Sequence, residues 1–220
     1  MNSILMDGEV IEMVQEFKYL GVLIDNRLTF KANVDYVCKK VSKKVGVLSR
    51  LAKFITLDAR INIYKSIIAP HFDYCATILY LCDETSFIRM QRLQNRAMRS
   101  ILMCKKLTPV RVMLESLNLL NVKQRVHATT LKFIHKLKFG VLPSYLSEMV
   151  TFNSDVHNFP TRSKNNFWFT CKRSAKARNS VFHKGLIEFN SLPSEVKNER
   201  SGGVFNRKLR SYLKDVSINL

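Results

Sequence analysis

An apolar stretch that carries one glycine runs directly into a long basic segment. The stretch is FKYLGVLID, residues 17–25, and the basic segment, residues 31–53, holds seven Lys or Arg against one acid, Asp35. Its apolar residues recur at steps of three and four, at Val34, Val37, Val41, Val45, Leu48 and Leu51. This spacing predicts a helix with one apolar face, and glycine within an apolar strand predicts a tight turn. A turn followed by a basic helix suits a surface that holds a nucleic-acid backbone.

The charge balance points to polyanionic partners. The 220 residues include 36 Lys and Arg against 17 Asp and Glu, a net charge of +19. An excess on this scale favours nucleic acid first and an anionic membrane surface second. No apolar run reaches the roughly 20 residues that cross a bilayer, because Lys65 and Asp73 interrupt the best candidate, 61–81. We therefore expect nucleic acid, and no membrane, as the partner.

The cysteines and the first residues favour an intracellular protein. Five cysteines are odd in number and irregularly spaced, and Asp7, Glu9 and Glu12 do not fit a signal peptide. We therefore predict reduced thiols in the nucleus or cytoplasm and no secretion. His71 and Cys75 would share a helix face, but a second ligand pair at zinc spacing is missing, so we predict no metal site.

The chain is predicted to be mainly α. A short N-terminal β-hairpin with an Asp7-Gly8 turn precedes a helical bundle and a smaller α(+β) tail. The expected units are 1–28, 29–150 and 151–220. Thr29 is the predicted cap of the first long helix, Pro70 should bend or break the second, and 72–81 should form the most buried helix. Residues 143–150 should form a short helix, 151–160 a loop, 166–170 a short strand and 205–214 a last amphipathic helix.

Four stretches are basic with almost no acid: 31–53, 89–106, 123–138 and 162–184. In the second, Arg89, Arg92, Arg96 and Arg99 fall at steps of three and four and form one helical stripe. Any one stripe could simply be a solvated face, but ordinary solvated faces mix both signs of charge. Phe167, Trp168 and Phe169 in the fourth stretch fit either core packing or stacking on unpaired bases.

The sequence holds no recognisable catalytic constellation. Two-metal catalysis needs clustered carboxylates, and the one pair of adjacent acids, Asp83-Glu84, fits a helix start better. No phosphate-binding glycine loop, nucleophile elbow or HExxH motif occurs. We predict no active site within these residues.

Several segments together resemble the C-terminal part of a non-LTR (LINE-type) retrotransposon reverse transcriptase of the Jockey-like or RTE-like kind. They follow the family's order and are residues 17–25 (FKYLGVLID), 28–30, 39–51, 67–75, 87–99 with Gln94-Asn95-Arg96-Ala97, 161–163, 189–196 and 205–213. Phe30 and Phe189 stand where the family usually has tryptophan. Each segment is weakly specific, and their shared order covers nearly the whole chain.

The resemblance implies the end of a palm, a thumb-like helical domain and a tail. The family's catalytic aspartates and their Mg would lie upstream, so no catalysis and no cofactor are expected of this chain. The expected partners are RNA or DNA, above all an RNA–DNA hybrid duplex, and the rest of the polymerase. Phe17, Lys18, Tyr19, Leu20 and Gly21 would lie near the primer terminus. The residues expected to contact backbone phosphates are Lys39, Lys40, Lys43, Lys44, Arg92, Arg96 and Arg99.

Two other interpretations stay open at this point. The chain could be a basic helical protein that binds an acidic partner, which would then outcompete a duplex at physiological salt. It could also be a non-functional remnant of a retroelement, whose strands at 17–24 would expose an unpaired edge and lower solubility.

Overall fold

The N-terminal region folds into two hairpins. The computed structural model describes residues 4–7, 9–156, 163–169, 174, 177–178 and 180–216. Strand β1 (Ile4–Met6) pairs antiparallel with β2 (Glu9–Ile11), and β3 (Glu16–Tyr19) pairs antiparallel with β4 (Val22–Asp25). The predicted Asp7-Gly8 turn is described only at Asp7, whose φ is 51°.

The second hairpin closes with a two-residue turn. Tyr19 faces Val22 across the strands, so Leu20 and Gly21 form the turn, with φ of 46° and 85°. Two consecutive positive φ angles belong to the type I′ turn that matches the twist of a hairpin. The tight turn predicted at Gly21 is present, and it divides the apolar stretch 17–25, which was expected to be one strand, into two paired strands.

One carboxylate organises the passage from β4 into the first long helix, α1 (Lys31–Leu51). Asp25 accepts hydrogen bonds from the backbone amides of Arg27, Thr29 and Phe30 and from the Thr29 hydroxyl. Burial raises the pKa of Asp25, but these bonds outweigh it and leave the pKa below its usual value. The N-cap of α1 is Phe30, at φ 57°, so the prediction of Thr29 as the cap is wrong.

The chain is mainly α, as predicted. Within the described residues, the further helices are α2 (Leu57–Ile63), α3 (Pro70–Asp73), α4 (Ala76–Leu79), α5 (Glu84–Leu102), α6 (Val110–Ser116), α7 (Val122–Lys138), α8 (Ser144–Ser147), α9 (Asn153–Val156), α10 (Leu186–Ser191), α11 (Ser194–Lys197) and α12 (Gly202–Asp215). Two π-helical turns, Tyr64–Ile68 and Val181–Gly185, lie just before α3 and α10. Strands β5 (Thr151–Phe152) and β6 (Phe167–Trp168) form a small antiparallel pair.

Pro70 does not break the second helix. The Ala69 amide donates to the Tyr64 carbonyl, 2.8 Å away, and this wider turn places Pro70 at the first position of α3, where its missing N–H is tolerated. The break falls instead at Tyr74, which is extended, and Cys75, at φ 50°. The predicted continuous helix 72–81 is therefore wrong.

The first hydrophobic cluster lies around α1 and α5. Its fully buried members include Val41, Phe72, Met90 and Met98. The two helices run parallel, since Asp35 contacts Arg89 near their starts and the hydroxyls of Ser49 and Ser100 lie 2.7 Å apart near their ends. This packing sets the two predicted basic faces side by side.

Helix α7 takes part in both hydrophobic clusters. Val126 belongs to the first, whereas Leu131 and Ile134 belong to the second, which also holds Phe189 and Leu209. The boundary between the expected units 29–150 and 151–220 stays a prediction.

The C-terminal region differs from the sequence-based expectation in detail. Residues 151–152 pair with 167–168 instead of forming a loop, and the helix expected over 143–150 is the single turn α8. The short strand predicted at 166–170 and the amphipathic last helix are confirmed.

Candidate nucleic-acid interface

A basic groove runs between the parallel helices α1 and α5. It has a volume of about 630 Å³, and its basic lining residues are Lys39 from α1 and Arg89, Arg92 and Arg96 from α5. Asp35 is the acid that lines it, and its carboxylate lies 2.6 Å from the Arg89 guanidinium. The groove therefore presents the charges of Lys39, Arg92 and Arg96 without a facing acid.

The predicted lysines of α1 divide between two surfaces. Lys39 and Lys43 lie opposite the buried apolar face, one turn apart. Lys40 and Lys44 lie on the flank away from α5, where the Lys44 amine donates to the Ile67 carbonyl at 3.3 Å. The structure thus brings Lys39 to the arginines and leaves Lys40 and Lys44 to a second surface.

The arginine stripe of α5 also divides. Arg92 and Arg96 are exposed in the groove. Arg99 is half-buried, and its Nε donates to the Lys106 carbonyl at 3.1 Å, which ties the segment after the helix to its last turn. Of the three arginines predicted to contact phosphate, two face the groove, and the phosphate contacts themselves stay a prediction.

The hairpin tip projects apolar side chains into solvent. Phe17 and Tyr19 are each 59% exposed and Leu20 is 74% exposed. The Tyr74 hydroxyl donates to the Leu20 carbonyl. Tyr74 lies at the break between α3 and α4, so this break positions the side chain that contacts the hairpin turn. The predicted role of residues 17–21 near a primer terminus stays untested.

Three of the five basic residues of helix α7 are engaged by other parts of the fold, whereas Lys132 and Lys136 are exposed. Lys123 pairs with Glu84 at 2.9 Å, and Arg125 forms an ion pair with Asp73. The Lys138 amine donates to the Lys197 carbonyl at 3.1 Å, and burial lowers the pKa of Lys138. Because the compensating acids come from distant parts of the chain, a local count of charges could not find them.

The aromatic cluster 167–169 fits both predicted interpretations in part. Phe167 is buried, stacks on Phe152 and has its backbone N–H and C=O both bonded by the Asn190 side chain. Trp168 and Phe169 are 39% and 40% exposed. Core packing is confirmed for Phe167, and base stacking by the other two rings stays a prediction. Four basic residues of this stretch, Arg162, Lys172, Arg173 and Lys176, lie outside the described residues.

The described part of the chain does not offer a metal centre. No group of three or more His, Cys, Asp or Glu side chains in it could hold a metal ion, so its acids do not fit a magnesium site. Burial raises the pKa of the Cys38 thiol and raises the pKa of Cys82 to about 12, so neither of these two thiols is an activated nucleophile. None of the described helices is long and apolar enough to cross a bilayer.

Sequence comparison finds relatives among proteins of mobile elements. The chain is 28% identical over 136 residues to the probable RNA-directed DNA polymerase from transposon BS of Drosophila melanogaster, over 60% of this chain. It is 38% identical over 92 residues to the probable RNA-directed DNA polymerase from transposon X-element of the same species, over 40% of this chain. The RNA-directed DNA polymerase from mobile element jockey is 28% identical over 102 residues, 45% of this chain. This chain is therefore similar to part of the RNA-directed DNA polymerases of non-LTR retrotransposons.

These matches cover a small part of each relative. The matched regions span 15% of the transposon BS protein, 10% of the X-element protein and 11% of the jockey protein. No family model matches the chain, and no solved structure matches it. The resemblance predicted from the sequence is confirmed, whereas the activity of the whole relatives is not thereby transferred to these 220 residues.

Proposed function

We propose that this chain is a thumb-like part of a reverse transcriptase that holds template–primer nucleic acid by its backbone phosphates. The supporting observation is the groove in which Lys39, Arg92 and Arg96 lie together while Asp35, the lining acid, is paired with Arg89. Guanidinium groups suit this task because their fork of N–H donors matches phosphate oxygens.

Contacts of this kind position a duplex without reading its sequence. The groove arginines lie on one rigid helix, and α1 and α5 are joined by buried apolar packing along their length. We therefore propose sequence-tolerant, salt-sensitive binding, with an RNA–DNA hybrid duplex as the preferred ligand.

We further propose that these residues do not themselves catalyse polymerisation. The sequence has no two adjacent aspartates, and two-metal phosphoryl transfer depends on clustered carboxylates that bind Mg²⁺. Magnesium would belong to a palm elsewhere in a complete enzyme, and the rest of that polymerase would be the protein partner.

The test is binding of the purified chain to an RNA–DNA hybrid duplex, titrated across salt, beside a single strand. We expect tighter binding to the hybrid and a logarithm of affinity that falls linearly with the logarithm of salt. Arg92→Gln with Arg96→Gln should weaken binding and flatten the salt slope by about two units, since each removed contact contributes about one.

A matched control carries the same loss of charge elsewhere. Arg200 and Arg207 are exposed and belong to the C-terminal region, so Arg200→Gln with Arg207→Gln should leave the slope unchanged. Equal effects of the two double variants would show that net charge alone drives binding. Weak binding that does not distinguish hybrid from single strand would overturn the proposal.

A further inference from the structure

Two lysines from different elements lie over the ring of one tyrosine. The Lys40 amine is 4.2 Å from the centre of the Tyr36 ring, and the Lys18 amine is 5.2 Å from it. Lys40 follows Tyr36 by one turn of α1, whereas Lys18 comes from strand β3. The three side chains form a cluster at the junction of the hairpin and the helix, on the flank of α1 away from the arginine groove.

The cluster has an excess of positive charge. The ion pairs among the described residues leave both lysines without an acidic partner. Two ammonium groups on one ring repel each other, so this arrangement costs free energy that a bound anion would offset. Hydrogen bonding from Lys40, and then from Lys18, lowers the pKa of the Tyr36 phenol, which is the effect of this positive field on the O–H group.

The positions of these groups are fixed by the backbone around them. Lys18 pairs with Leu23 across the hairpin, and the Leu23 amide donates to the Asn33 side chain on α1 at 3.2 Å. Asn33 is buried, so this bond holds the hairpin against the helix. The Lys18 side chain therefore starts from an anchored strand, and less ordering is needed when a ligand binds.

We propose that Lys18, Tyr36 and Lys40 together bind a single phosphodiester group of the nucleic-acid backbone. The two ammonium groups and the phenol O–H are all donors, and the oxygens of one phosphate can accept from all three. This site rests on the proposed function and adds a contact that the hairpin and α1 make jointly. Tyr36 is its new member, a residue that its spacing on the amphipathic helix does not single out.

The test exploits the sharing of one phosphate. In salt titrations with the hybrid duplex, Lys18→Met and Lys40→Met should each weaken binding, and both variants keep an apolar stem over the ring. Because one phosphate is neutralised, the double variant should flatten the salt slope by about one unit in total. Tyr36→Phe keeps the ring and should weaken binding by about tenfold, since hydrogen bonds to charged groups are worth about 1.5 kcal/mol or more.

Each result of these titrations either supports or overturns the shared phosphate site. A loss of about two units in the double variant would mean that the lysines contact separate phosphates, which overturns the shared site. Unchanged slopes in the lysine variants, while Arg92→Gln with Arg96→Gln still flattens the slope, would overturn this site alone. Absence of salt-sensitive binding by the unaltered chain would overturn the proposed function and this site with it. Unchanged thermal unfolding of the exposed-site variants would show that they fold.

Discussion

The carboxylate of Asp35 on α1 lies 2.6 Å from the guanidinium of Arg89 on α5, at one end of the basic groove. Their side chains are 49% and 50% exposed, and ion pairs this exposed contribute about 0–1 kcal/mol to folding. The pair therefore contributes little to the stability of the fold. Its main effect is on the charge of the groove, because Asp35 occupies the Arg89 guanidinium that could otherwise contact a ligand.

Asp35→Asn should strengthen binding of the hybrid duplex. The change removes the acid that lines the groove and frees Arg89 to contact a phosphate, so the salt slope should steepen by about one unit. The free energy of unfolding should change by less than about 1 kcal/mol, as measured by urea denaturation. Weaker binding of the variant at every salt concentration would contradict the assignment of the groove.

Gln94→Ala should destabilise the fold without any effect specific to the ligand. The buried Gln94 amide donates to the Tyr64 hydroxyl at 3.0 Å and to the Leu120 carbonyl at 2.9 Å. Removing it leaves the Leu120 carbonyl buried and unpaired, at a cost of about 1–3 kcal/mol. Tyr64→Phe keeps the bond to Leu120 and should cost less in the same urea experiment.

Helix α5 shows which features of the candidate site could be predicted from the sequence and which could not. The resemblance marks Gln94 and Arg96 in one short segment, but only the packing of α5 separates them, with Gln94 in the core and Arg96 in the groove. Periodicity correctly predicted most of the apolar face of α1, although Leu51 is exposed. It also placed Arg89, Arg92 and Arg96 on one side of α5. It could not predict that Arg99 bonds the Lys106 carbonyl. Nor could it predict that Lys123 and Arg125 of α7 pair with Glu84 and Asp73, because those acids are distant in sequence.

The position of the helix break near Pro70 and Tyr74 could not be predicted from the sequence either. A proline within an apolar helical pattern predicts a break, yet a π-helical turn before Pro70 absorbs its missing donor. The observed break at Tyr74 places that side chain under the hairpin turn, where its hydroxyl bonds the Leu20 carbonyl. The break in the helix at Tyr74 thus goes with a hydrogen bond to a residue more than 50 positions away, and local helix propensity does not predict such a contact.

Stability should fall at acid pH through Glu188. Burial raises the pKa of this carboxyl, but the hydrogen bond and charge of His127, 2.9 Å away, outweigh it and leave the pKa below its usual 4.5. A carboxyl whose pKa is lower in the folded than in the unfolded state contributes stability above the unfolded pKa, and loses it as the pH falls through the folded pKa.

The measurement is the free energy of unfolding of the unaltered chain and of Glu188→Gln from neutral to acid pH. Glu188→Gln should be the less stable protein at neutral pH, and the difference should shrink below about pH 4.5, the usual value for this carboxyl. A difference that is independent of pH would mean that the Glu188 charge does not stabilise the fold.

Gly185→Ala should destabilise the junction between α7 and α10. A Cβ at this position would lie 2.8 Å from Cδ1 of Ile134 and 3.3 Å from Cγ2 of Thr130, both on α7. Ile134 is buried, so its terminal methyl group must move within a packed core, and overpacking of this kind costs about 1–3 kcal/mol.

A second substitution separates this clash from a general effect of alanine in the π-helical turn. Ile134→Val removes the methyl group that the new Cβ would meet, so the double variant should be more stable than the sum of the two single changes predicts. Gly46→Ala is the matched control, because no atom lies within 4 Å of a Cβ placed there. Since glycine in a helix interior is disfavoured relative to alanine, Gly46→Ala should raise stability by about 0.5–1 kcal/mol. Strict additivity at Gly185 and Ile134 would contradict the predicted contact between α7 and the π-helical turn that precedes α10.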